Sequence, residues 1–212
     1  MAVSKPRTSD ASAWQLPPAL RVIVLAMFAA VGILLRQVAI PTSLPFVTLT
    51  PGFTMPLLTG VALGPIEGLA CGLIVGISGG LTEPALLPVL GNIALGLSAG
   101  VPSLVRRRLP YPLWASLCVV SGSVFGGFLP TFSIEVLVFL VHPIAATAAA
   151  VADGLQGMVW AIVAVVLDKT AVQPLLQRVV GYGGSDSGKL QVEARAILQT
   201  LHKVQLHGGK IK

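Results

Sequence analysis

Apolar residues fill six stretches of the chain, and short polar or proline-bearing breaks separate them. The first stretch runs from about Leu20 to Ile40 and stops at Pro41, a second ends near Leu63, and a third covers Ile66 to about Leu81. The fourth spans Leu86 to Val105, the fifth Tyr111 to about Leu129, and the sixth Ile144 to Leu167. A helix needs about 20 apolar residues to cross a bilayer, so the pattern predicts an all-α integral membrane protein, a compact bundle of six transmembrane helices. The segment Thr42 to Pro51 (TSLPFVTLTP) carries two prolines and alternating apolar positions, which reads as an extended loop or as an irregular start to the second span. Pro56 is expected to kink that span. Thr82-Glu83-Pro84 turns the chain, and a polar break with Glu135, His142 and Pro143 precedes the sixth span. The domain reading is a flexible tail over 1–18, the transmembrane domain over 19–170, and a polar tail over 171–212. In that last tail Leu190, Ala194, Ile197, Leu198 and Leu201 share one helical face, either a surface-lying amphipathic helix or a solvated tail.

One stretch has a period of its own. Gly60, Gly64, Gly68, Gly72, Gly76 and Gly80 recur every four residues among apolar neighbours, which lays a bare stripe along a helix. Pro65 breaks the run, and proline costs nothing in the first turn of a new helix. The expectation is a turn at Gly64-Pro65 between two helices, with the glycines serving close helix packing or a moving surface. In water each glycine would cost about 1 kcal/mol against alanine, whereas a bilayer keeps the backbone helical and lets a second backbone approach.

Composition strengthens the membrane reading: 54% of residues are hydrophobic, 10% are charged and the mean hydropathy is +0.86. The net charge of +6 does not point to nucleic acid, because the basic residues sit at the chain ends and in one loop, Arg106-Arg107-Arg108. There they act as topology signals and face lipid headgroups. Six spans with that triplet inside put both termini in the cytoplasm of a multi-pass cell-membrane protein. The start of the chain has no cleavable-signal pattern, its long apolar run beginning only near Leu20. Cys71 and Cys118 lack metal or redox spacing and read as small buried side chains.

Ionisable groups inside spans are costly and therefore candidates for function. Arg36, near the outer end of the first span, either snorkels to the headgroups or binds an acidic ligand group. Glu67 complements a helix dipole in the first turn after Pro65. Asp153 shares a helix face with Gln156 and Trp160, which makes either a binding face or an interhelical polar contact. Asn92 has the same two readings. Glu83, Glu135 and His142 are solvated or form rim ligands over a solute. The candidate lining holds more acids than bases, which favours a cationic or neutral solute. No HExxH or P-loop pattern is present, so neither an enzyme nor an ATPase is expected, and no cofactor.

The run PGFTMPLLTGVALGPIEGLACGLIVGISGGL, Pro51 to Leu81, resembles the second and third spans of the substrate-binding S components of energy-coupling factor (ECF) transporters. Ala26-Met27-Phe28-Ala29-Ala30 is similar to the small-residue motif in the first helix of that family. The resemblance implies high-affinity capture of a vitamin or related micronutrient. It also implies delivery to a module of a transmembrane coupling protein and two ATPases by toppling in the bilayer. It makes Ala26 and Ala30 the docking face, the first loop a gate, and Asn92, Glu135, His142, Asp153, Gln156 and Arg36 the candidate ligand contacts. Ser78 stands near where many members carry an aspartate, and the tail from Gly181 is longer than the family's usual one. The competing readings are a stand-alone small-solute membrane transporter, which needs a polar through-path, and a structural membrane partner, which needs no pocket.

Overall fold

The computed structural model describes residues 16–38, 40–41, 48–79 and 86–179. Gly80, Glu83, most of the first loop and the tail helix beyond Ser185 lie outside the described residues. The chain divides into two units, Met1–Gln173 and Pro174–Lys212. The second is described over 174–179, which are helical.

Helix α1, Pro18–Arg36, starts on a proline in its first turn and ends at Arg36, four residues earlier than Ile40. Two-residue strands β1, Ile40–Pro41, and β2, Thr48–Leu49, then pair antiparallel, so the ends of the first loop are tied together. A tight turn of helix at Pro51–Phe53 leads into α2, Thr54–Leu63. Pro56 falls in the first turn of α2, where a missing N–H breaks no helical bond, so the expected mid-span kink has no cause. Every residue of α2 is buried. The hydroxyl of Thr59, which has no access to water, donates to the Met55 carbonyl at 2.7 Å, as a buried hydroxyl must.

Gly64 closes α2 with φ of 119°, a conformation that side chains resist, and Pro65 opens α3, Pro65–Gly79. Helix α4, Leu86–Gly100, lies against both. A methyl on Gly60 or Gly68 would strike the Gly96 carbonyl, and one on Gly72 the Asn92 carbonyl. On Gly76 it would come within 2.7 Å of the Val89 Cα. Gly96 and Gly100 return the contact, meeting Gly68 and Pro65. The glycine period is a backbone-to-backbone seam, in which van der Waals contact replaces the hydrophobic drive that lipid does not supply.

The helical path of α4 tightens at Val101–Arg108, so the arginine triplet is the last turn of a helix rather than a loop. There its charges complement the dipole. Helix α5, Tyr111–Ser121, passes through one wide π segment, Gly122–Phe128, into α6, Leu129–Leu137. The fifth helical run therefore reaches Leu137 rather than Leu129, and Glu135 belongs to it. Helix α7, Pro143–Leu167, is capped by His142 Nδ1 accepting from the Ile144 N–H at 3.4 Å, and a π turn comes next at Asp168–Val172.

Two ion pairs close one end of the bundle. Arg21 meets Glu67 at 2.5 Å, so Glu67 does more than complement its own helix. Arg106 meets Asp168 at 2.8 Å, with Asp168 only 1% exposed and also accepting from Gln173 at 2.6 Å. The Arg106 guanidinium sits 4.1 Å from the ring centre of the fully buried Trp114, a cation–π contact. From the sequence, the triplet was a topology signal facing lipid headgroups, with no partner inside the bundle.

Among the described residues, four helices are long and apolar enough to cross a membrane: α1, the α4 run to Arg108, the α5–α6 run, and the one that begins at Pro143. Helices α2 and α3, at 10 and 15 residues, are shorter than about 20 residues. Val22, Met27 and Leu34 on α1 are more than 60% exposed, and with similar residues on the other long helices they form an apolar exterior far larger than a water-soluble surface carries. Cys71 and Cys118 are buried and unbridged.

Gly72→Ala should lower unfolding stability in mixed micelles by about 2 kcal/mol, because its methyl meets backbone that cannot swing aside. Gly91→Ala, where a methyl meets nothing within 4 Å, should hold or raise it. The same assay should show Arg106→Met costing about 3 kcal/mol by stranding buried Asp168, with a clearly smaller loss for Asp168→Asn; equal losses would count against a charge pair there.

Candidate functional site

At the end of the bundle opposite the two ion pairs, the last turn of α1, the lead-in to α2, the first half of α4, the π segment, α6 and the middle of α7 enclose a cavity of about 170 Å³. Along α7 its Gln156 lies about 18 Å from Asp168. Close approach makes the walls: a methyl on Gly127 would strike the Asp153 carbonyl, and one on Gly126 would come within 3.0 Å of the Leu95 Cα. The π segment adds a residue to the turn, as such bulges do at functional sites. It carries Gly126 and Gly127 into the wall, with Thr131 of α6 beside them.

Of the residues singled out in the sequence, Arg36, Asn92, Asp153 and Gln156 line this cavity. Arg36 turns toward the cavity. Its guanidinium lies against the Gly79 backbone and 5.9 Å from the Phe53 ring centre. Asp153 accepts from the Thr131 hydroxyl at 2.6 Å, which fixes one carboxylate oxygen. Gln156, almost fully buried, accepts the Thr50 N–H at 3.2 Å through Oε1, so it pins the end of the first loop to α7. Asn92 is 1% exposed and donates through Nδ2 to the Pro88 carbonyl at 2.7 Å, while its buried Oδ1 meets no donor. A buried acceptor without a partner carries a desolvation cost of about 1–3 kcal/mol. This one is in the cavity wall, where a bound molecule can supply the missing N–H or O–H.

Glu135 and His142 are not in the lining: Glu135 is half-buried on α6, and His142 is exposed at the start of α7. Among the described lining residues the acid surplus counted from the sequence is absent, and one guanidinium stands with one carboxylate. Trp160, one turn below Gln156, is half-buried and also outside the lining. Phe53, Thr50 and Thr131 are lining residues that the sequence reading did not single out. Phe53 has a weak signal, an aromatic just after Pro51-Gly52, whereas Thr131 enters through the π segment, which sequence periodicity does not reveal. Ala26 and Ala30 are exposed on α1, and the buried alanine of that motif is Ala29.

Chemically the cavity offers one cation, one anion, an unmet amide acceptor and an aromatic face. Groups of that kind can hold a small polar solute through complementary hydrogen bonds and a ring contact. Among the described residues the lining includes no His, Cys or Lys, and no cluster of three His, Cys, Asp or Glu could hold a metal ion. No protein-family model matches the sequence, and no curated protein matches it.

Proposed function

We propose that this chain is a multi-pass cell-membrane protein of six spans that captures a small polar solute from the outside and passes it to an ATP-driven partner, as an ECF S component does. The observation that carries the reading is the convergence of Arg36, Asn92, Asp153 and Gln156, from three separate helices, on one cavity whose Asn92 acceptor is buried and unmet. Orientation follows from charge. Arg21, the arginine triplet and Lys169 belong to the end away from the cavity, which makes that end cytoplasmic by the positive-inside rule and puts both termini inside. The cavity then opens outward, with the two ion pairs beneath it. The short α2 and α3 cross together with the long helices around them, shielded from lipid on the buried α2 side.

The enclosed volume of about 170 Å³ is close to the roughly 150 Å³ that accommodates a benzene-sized molecule. A single-ring vitamin or precursor with N–H donors, neutral or zwitterionic, fits the balanced lining better than a cation. A tight first-loop end, held by the Thr50 to Gln156 bond, supports a gate at the mouth. The coupling protein and two ATPases are the partners this reading requires. The outward stripe of Ala26 and Ala30, flanked by exposed Val22, Met27 and Leu34, suits close approach of another membrane helix.

A thermal-shift screen of the purified protein against vitamins, their precursors and nucleobases should find a single-ring solute that raises the unfolding temperature. Asn92→Leu should leave the unliganded protein as stable as before or more so, while weakening that solute at least ten-fold. Gly91→Phe, which points a ring into open space, should abolish binding. No hit with well-folded protein would move the reading to a structural membrane partner, and uptake into vesicles holding this chain alone would move it to a stand-alone transporter. Ala26→Trp and Ala30→Trp should each abolish co-purification with a coupling protein while keeping solute affinity; survival of the complex in both would rule that face out.

A further inference from the structure

A second, larger recess of about 420 Å³ runs down the outside of the bundle between α5 and α7. Its α5 wall carries Tyr111, Ala115 and Val119 at intervals of four, and its α7 wall carries Ile162 and Val166, so both walls are straight helical faces. Lys169 continues the α7 face three residues beyond Val166. Its ammonium lies 4.2 Å from the ring centre of Tyr111, the residue that closes the lower end of the recess. The Asp168 carboxylate next to it is taken up by Arg106 and Gln173, so it does not cancel the lysine. Arg107 and Arg108, at the start of the same end, are exposed and raise the positive potential there.

We propose that this recess binds one acyl chain of an anionic phospholipid from the cytoplasmic leaflet, with the headgroup phosphate against Lys169. The inference rests on the membrane orientation given above. The apolar walls extend about 14 Å from Tyr111 to Val120, which is hydrocarbon depth, and the basic end meets the headgroup layer, where anionic lipids are drawn to lysine and arginine. An extended peptide would leave its backbone groups unpaired along those walls, whereas an acyl chain has none to satisfy.

The test uses the full chain, delipidated in mild detergent and offered equal amounts of phosphatidylglycerol and phosphatidylcholine with the same acyl chains, with retained lipid read by native mass spectrometry. Wild type should keep phosphatidylglycerol in preference. Lys169→Gln should reduce that retention about five-fold and leave phosphatidylcholine unchanged, Lys169→Arg should restore it, and Ala115→Trp should displace both lipids by filling the recess. Equal retention of the two lipids by wild type, or phosphatidylglycerol retention indifferent to both Lys169→Gln and Ala115→Trp, would overturn the proposal alone. Release of the chain from native membranes by alkaline carbonate would overturn the membrane orientation, and the lipid site with it.

Discussion

The seam between α2–α3 and α4 is the contact on which the other helices depend. Gly60, Gly68 and Gly72 face Gly96, Gly100 and the Asn92 backbone with no side chain between them. In lipid, where burying apolar surface gains little, such close backbone contact is the main source of association. It draws the wholly buried α2 into the centre, and α1 and α7 pack around it. It also sets the site, because Asn92 is the residue whose carbonyl rests on Gly72 while its side chain turns into the cavity wall. This candidate binding residue is thus held by the close-packed seam, and such pre-organisation would limit the entropy lost on docking a solute.

Charge is divided between the two ends according to job. At the arginine end two acids are paired: half-buried Glu67 by Arg21, and buried Asp168 by Arg106 with Gln173 in support. Pairing of this quality offsets the desolvation of groups held away from water. The cavity end has anchored polar groups of its own. Gln156 and Asp153 are anchored by Thr50 and Thr131, whereas Asn92 Oδ1 is left unmet. Being unmet does not by itself mark the site, since Glu67 Oε2 and Trp114 Nε1 at the other end are also buried without a hydrogen-bond partner; the Asn92 acceptor is set apart by its place in the cavity wall.

Glycine does different work in the fifth helical run. Gly122, Gly126 and Gly127 bring it against α7 and α4, and the π segment they belong to rotates α6 about its axis, so that Thr131 reaches Asp153. The run continues to Leu137, which carries Glu135 onto a helix and away from the cavity. One irregularity in backbone winding thereby decides which of two nearby polar residues, Thr131 or Glu135, faces the site.

The sequence by itself determined the helical character, the turn at Gly64-Pro65, the glycine stripe, the start of the helix at Pro143 and the asymmetry of basic residues. Each is written in local spacing, in proline and glycine chemistry, or in the long apolar runs that only a bilayer tolerates. It also named Arg36, Asn92, Asp153 and Gln156, because polar groups within apolar runs are conspicuous. Only the tertiary structure decided that these four converge while Glu135 and His142 stand aside, that Arg36 turns inward to Gly79 and Phe53, and that Arg106 finds Asp168 62 residues away. Pairings between distant segments depend on helix rotation and on the extra residue of a π turn, and a change of one position rotates a side chain by about 100°. Local spacing does not encode that angle; the packing of the glycine seam does.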